Sequence, residues 1–294
     1  MGREPVSSRS GGRPERQNGP MTSPTEEASD TDEAGSPGDE LLLDVDDGVA
    51  ILTLNRPARR NALSSSLIGE LVRSVRELDQ RPEVGAIVVT GADPGFCAGL
   101  DLKELGTAGN DLGSSVIGEP DHHRPWPALR TVVIGAINGP AVTGGLEIAL
   151  ACDFLVASDR ASFADTHARL GIQPTWGLTV RLPEAVGLRR AREMSSTGNF
   201  VGAETALTWG LVNHVVPHDQ LLAAARSLAR AVCGADRNAV ARLLLTYQEG
   251  SLRPGEGAWA AEWDAAVAWQ SAGIDSSKVA ERRAGVIERG RSQL

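Results

Sequence analysis

The segment INGPAVTGGLEIALACD, residues 137–153, runs from an apolar strand into a glycine pair and then into an apolar helix. Residues 131–137 (TVVIGAI) predict a short buried strand, and residues 143–151 predict a helix. Glycines at 144 and 145 put no Cβ beside the N–H groups that open this helix, so the backbone there can approach a partner closely. Glu147 follows in the first turn, with the apolar stretch Leu146 to Ala151 around it. A carboxylate in that setting is either a structural hydrogen-bond acceptor or an acid/base group, and these residues alone leave both readings open.

Upstream, GADPGFCAGLDLKEL (91–105) repeats the arrangement. The strand GAIVVT (85–90) ends in a Gly/Pro turn, small residues follow at Cys97, Ala98 and Gly99, and a helical piece is expected from Asp101. Main-chain N–H groups at such a strand-to-helix junction favour an anion or a polarised carbonyl; a tight structural turn is the alternative. GxxxxGK[ST] is missing, which excludes a P-loop, and no GxGxxG follows a strand, so a dinucleotide site has no support.

Working outward, 41–45 and 49–54 read as a hairpin about Asp46-Asp47-Gly48, and 64–80 carries Leu67, Leu71, Val75 and Leu78 at helical spacing. Strands at 153–157 and 212–216 and helices at 201–209, 219–233, 238–249, 255–270 and 277–289 complete the pattern. Strands alternating with helices imply an α/β fold with a mainly parallel sheet. Residues 1–40 differ: five hydrophobic residues stand among Ser, Gly, Pro and charges, nine acidic and four basic. Such a tail cannot offset its own ordering entropy. We therefore divide the chain into a tail (1–40), a core domain (41–215) and a C-terminal helical subdomain (216–294).

The 294 residues carry a net charge of −9 and are 41% hydrophobic, which argues against nucleic acid as the main partner. No apolar run is long enough to span a bilayer. Three cysteines, an odd number without metal-ligand spacing, make a disulfide framework or a zinc site improbable. The expected location is cytoplasmic, and no metal or separate cofactor is expected.

Taken together, NRPARRNAL (55–63), FCAGLDLKEL (96–105) and NGPAVTGGLE (138–147) resemble the crotonase, or enoyl-CoA hydratase/isomerase, superfamily. The resemblance runs in unbroken order over about residues 41–294. It implies a crotonase-like spiral of ββα units with a C-terminal helical subdomain that assembles a homotrimer or a dimer of trimers. The partner it implies is an acyl-CoA thioester, coenzyme A being part of the substrate. The thioester oxygen would sit between two backbone N–H groups, which motif position assigns to Ala98 and Gly144. One such donor is worth roughly 3 to 4 kcal/mol in other enzymes. Substrate contacts are expected from Cys97, Gly99, Leu100, Asp101, Lys103, Gly145 and Trp176, the last either narrowing the acyl end of the pocket or packing in the core.

Glu147 falls on the first catalytic glutamate of the hydratases. The second normally lies about twenty residues on, in a segment similar to Phe-Ala-x-Pro-Glu, and here that position is His167. His167 would be an acid/base replacement, a pocket-lining donor, or a packed histidine satisfied by a backbone carbonyl. As an acid/base group it would make the rate change between about pH 5 and 8. Asp165 would face the opposite side of an extended segment. The expected reaction is addition of water across a 2-enoyl-CoA in fatty-acid or related catabolism. The alternatives are a 3-enoyl-CoA/2-enoyl-CoA isomerase using Glu147 alone, or a non-catalytic acyl-CoA-binding paralogue.

Overall fold

The hairpin expected at the start of the core is β1 (Leu41–Asp46) against β2 (Val49–Leu54), antiparallel from Leu41↔Leu54 to Asp46↔Val49. Asp47 and Gly48 turn the chain with φ of 50° and 77°, the two positive values that match a tight turn to the strand twist. A computed structural model describes residues 40–101, 124–171 and 173–251. All of them belong to the unit Gly35–Leu294.

From β2 the sheet continues in parallel through β3 (Ala86–Gly91), β4 (Val132–Ile137), β6 (Phe154–Ser158) and β9 (His214–Val216), in the order β1-β2-β3-β4-β6-β9. Side chains alternate between its two faces, as the period of two requires. Ala50, Leu52, Ile87, Val89, Val133, Ile137 and Leu155 face one cluster, which takes in the stripe Leu67, Leu71, Val75 and Leu78 of helix α1 (Ser65–Gln80). Ser64, expected as the first helical residue, is instead the cap: its Oγ accepts from Leu67 N at 3.1 Å and donates to Glu40 at 2.7 Å.

Val49, Ile51, Ala86, Val88, Ile134, Ala136 and Val156 face the other way. Against them lies the helix Leu221–Cys233 through Leu221, Ala225 and Ala229. The boundary drawn at 215/216 is thus not a break in packing, because the first helix beyond it closes the core of the domain before it. The expected helices at 255–270 and 277–289, with Trp259, Trp263 and Trp269, lie outside the described residues.

A second, small sheet escaped the sequence pattern. Its strands β5 (Pro140–Val142), β7 (Ser162–Ala164) and β8 (Val201–Gly202) have two or three residues each, too few to show a period. β5 and β7 are parallel, β7 and β8 antiparallel. The helix read over 201–209 is therefore β8 followed by a helix at Ala203–Trp209. Between the two sheets in sequence stand α2 (Gly144–Ala151) and, after β7, α3 (His167–Leu170), α4 (Leu178–Val186) and α5 (Leu188–Thr197). α4 and α5, which periodicity did not mark, are separated by Gly187 at φ 82°.

Candidate active site

Two loops are locked together before any catalytic group is reached. Asn61, fully buried with φ 56°, donates through Nδ2 to the carbonyls of Ala92 and Gly95, both at 2.7 Å. Its Oδ1 accepts from Arg56 N at 2.9 Å. The Arg56 guanidinium meets Glu40 at 2.8 Å and Asp101 at 3.1 Å. The motif at 55–63 thus clamps both ends of the loop that carries Cys97 to Leu100. Nothing in its spacing announced that role, since a buried Asn at positive φ is recognisable only once the turn exists.

The main chain of that loop is largely spent on support. Cys97 N donates to Pro140 O at 3.0 Å, and Cys97 O accepts from Val142 N at 2.9 Å. Ala98 N donates to Arg60 O at 3.0 Å, so the amide expected to face the thioester is engaged and the assignment to Ala98 is corrected. The amide that stays open is two residues on. Leu63 bridges Leu100 in parallel fashion, using Gly99 O and Asp101 N. That geometry leaves Leu100 N–H without a hydrogen bond among the described residues. Gly144 N, the first in α2, has no intrahelical partner either. The two are neighbours: a Cβ at Gly144 would lie 3.7 Å from Leu100 N, and a Cβ at Gly99 3.3 Å from Gly144 N.

Four expected contact residues act underneath this pair. Cys97 is fully buried, and burial pushes its thiol up to about 12. Gly99 at φ 92° and Gly145 permit the approach of the loop to α2, since a Cβ at Gly145 would fall far inside van der Waals contact with Cys97 O. Asp101, buried, holds Arg56. Lys103 lies outside the described residues.

Glu147 and His167 come together from α2 and α3. Glu147 is 3% exposed; its Oε1 accepts from Trp176 N at 2.8 Å, and its Oε2 stands 3.6 Å from His167 Nε2. Trp176 itself is buried in the core cluster, so its backbone fixes the carboxylate while its ring packs. His167 is not satisfied by a backbone carbonyl. Its Nδ1 lies 2.6 Å from Asp165 Oδ1, which also accepts from His167 N at 3.1 Å. Asp165 does not face away: residues two apart share one face of an extended segment, so the expectation of opposite sides fails on spacing alone, and the turn at Thr166 (φ −106°, ψ 11°) brings the carboxylate onto the ring. Burial disfavours the imidazolium, but the Asp165 hydrogen bond and the nearby charges of Glu147 and Asp165 outweigh it and raise His167 to about 9. Burial likewise works against the Asp165 charge, and its bonds to His167 and Ser195 overcome this and hold it below the ordinary range.

Thr143 links the two halves. It adopts φ 54°, ψ −112°, its N donates to Ala164 O at 2.9 Å, and its hydroxyl meets that of Thr166 at 2.6 Å. The residue before the Gly144 amide is thereby tied to the residue before His167.

The enoyl-CoA hydratase/isomerase family profile matches residues 44–282. The chain belongs to this family. A probable peroxisomal enoyl-CoA hydratase of Arabidopsis thaliana is 38% identical over 205 residues, 69% of this chain and 76% of that one. A probable enoyl-CoA hydratase of Mycobacterium bovis is 39% identical over 195 residues, 65% and 74% of the two chains. The crystal structure of an enoyl-CoA hydratase from Mycobacterium tuberculosis H37Rv superposes with a TM-score of 0.67 at 48% identity, covering 77% of this chain and 97% of that one. Membership of the enoyl-CoA hydratase/isomerase family accounts for the α/β fold.

Proposed function

We propose that this family member is an enoyl-CoA hydratase that uses Glu147 and His167 as its acid/base pair and the amides of Leu100 and Gly144 as its oxyanion hole. The thioester carbonyl accepts from both N–H groups, at the N-terminal end of α2 where the helix dipole favours negative charge. A water held between Glu147 and His167 gives a proton to Glu147 as its oxygen bonds to C3. The C2–C3 π electrons move toward C1, and the carbonyl oxygen becomes the enolate. The enolate then collapses, C2 taking the proton of His167 Nε2, and Glu147 returns its proton to His167 to reset the pair.

The observation that carries this reading is the 3.6 Å separation of Glu147 Oε2 and His167 Nε2. It exceeds a direct hydrogen bond and suits one water about 2.8 Å from each. Two acid/base groups in contact favour hydration over an isomerisation that needs one base. The test is turnover of short- and long-chain 2-enoyl-CoA, followed by loss of the conjugated thioester absorbance. Wild type should turn over, and Glu147→Gln should lose roughly 10²- to 10⁴-fold in kcat. Turnover of 3-enoyl-CoA alone would replace the proposal by an isomerase, and binding of acyl-CoA without any turnover by a binding paralogue.

We assign the reaction to fatty-acid or related catabolism, including β-oxidation, and the enzyme to the cytoplasm as a homotrimer or dimer of trimers. Among the described residues no helix is long and apolar enough to cross a membrane. Light scattering on the purified chain and fractionation of cells test the assembly and the location.

A further inference from the structure

The His167 ring has a carboxylate on each side, and only one of them belongs to the acid/base pair above. We propose that Asp165 is a positioning residue for hydration: it holds the His167 ring by Nδ1–H, so that Nε2 carries the proton delivered beside Glu147. The proposal rests on the hydratase reading.

The geometry is specific. One oxygen, Asp165 Oδ1, takes both the ring Nδ1 at 2.6 Å and the main-chain N–H of the same histidine at 3.1 Å. The ring is therefore fixed relative to its own backbone at the first residue of α3. Asp165 is 2% exposed, which shields that oxygen from bulk water, and Ser195 of α5 helps to hold the carboxylate below its ordinary range. With Nδ1–H engaged, the mobile proton is confined to Nε2. Two buried carboxylates against one ring favour its cationic form. The charged groups acting on His167 are Glu147 from α2 and Asp165 from its own segment. The next guanidinium on α3, Arg169, is turned to the Thr197 carbonyl at 2.6 Å. The Thr143–Thr166 hydroxyl pair then couples the placement of this segment to the Gly144 amide.

The experiment uses the full chain, labelled with ¹⁵N-histidine, as wild type, Asp165→Asn and Asp165→Glu; the His167 signals are assigned by their loss in His167→Gln. Wild-type His167 should hold Nδ1–H and Nε2–H together through neutral pH. Asp165→Asn should lower its titration midpoint by at least one pH unit. The same variant should reduce kcat about twofold or more at pH 8, where at least half of the rings have lost the proton, with KM within about threefold. Asp165→Glu should restore part of both. An unchanged midpoint, or a loss of kcat equal at every pH, overturns the proposal. If wild type does not hydrate enoyl-CoA the hydratase reading fails, whereas the histidine titration still decides whether Asp165 holds the ring. Should Asp165→Asn not fold, Asp165→Ser carries the test: a lowered His167 midpoint supports the assignment and an unmoved one refutes it.

Discussion

Raising the pH through the titration of His167 should weaken the fold, and His167→Gln should abolish that dependence. Burial opposes the charged ring, yet Asp165 and Glu147 more than compensate and raise it from 6.5 to about 9. The folded state therefore binds this proton more tightly than the unfolded chain. The stabilisation is complete below the unfolded value near 6.5 and is lost as pH rises through about 9. Between pH 7 and pH 10 the loss amounts to about 2.5 kcal/mol, equivalent to roughly 5 to 10 °C in Tm for a domain of this size. Thermal melts of wild type and His167→Gln at fixed protein concentration, at pH 7, 8, 9 and 10, read it directly. Subtracting one from the other removes the lysines, tyrosine and thiols that titrate in the same window. The gap in Tm should close as pH rises. A gap that stays constant from pH 7 to pH 10 would refute the charged ring, and with it the use of His167 as the acid. In the same protein kcat should fall with pH through about 9, above the pH 5 to 8 window expected of an ordinary histidine.

Gly145→Ala should destabilise the protein by about 1 to 3 kcal/mol in a denaturant titration, because the new methyl must push α2 away from Cys97. The same displacement moves the Gly144 amide, so kcat should drop along with stability. Asn61→Ala removes the donor shared by Ala92 O and Gly95 O and leaves Arg56 N without its acceptor. It should cost about 1 to 3 kcal/mol, measured in the same way. A change below about 0.5 kcal/mol would mean that the 92–95 loop holds its shape without this side chain.

The elements that carry the frame were legible before any coordinates. The α1 stripe, the hairpin and the apolar strands at 86–91 and 132–137 announce themselves by period, and the glycine pair before Glu147 marks a helix start that something approaches. Glu147 and Gly144 were readable because local motifs place them. The open amide beside Gly144 was not. Ala98 and Leu100 are both small-loop positions, and only the bonds to Arg60 O and Leu63 decide which N–H is left over.

His167 shows the division most plainly. Its position in the chain identified it as the counterpart of a second glutamate, but its protonation depends on neighbours in space. Asp165 was misplaced by a miscount of the strand alternation, since residues two apart share a face; what sets its carboxylate against the ring is the turn at Thr166, which the local pattern does not show. The short strands β5, β7 and β8 evaded the pattern for a related reason: two or three residues exist as strands only through their partners. Periodicity and turn chemistry are local properties, so the sequence by itself determined the helices, the main strands and the family's glycine-framed carboxylate. Which amides remain unpaired, and which charges surround a buried ring, are set by contacts between segments distant in the chain, and only the tertiary structure decided them.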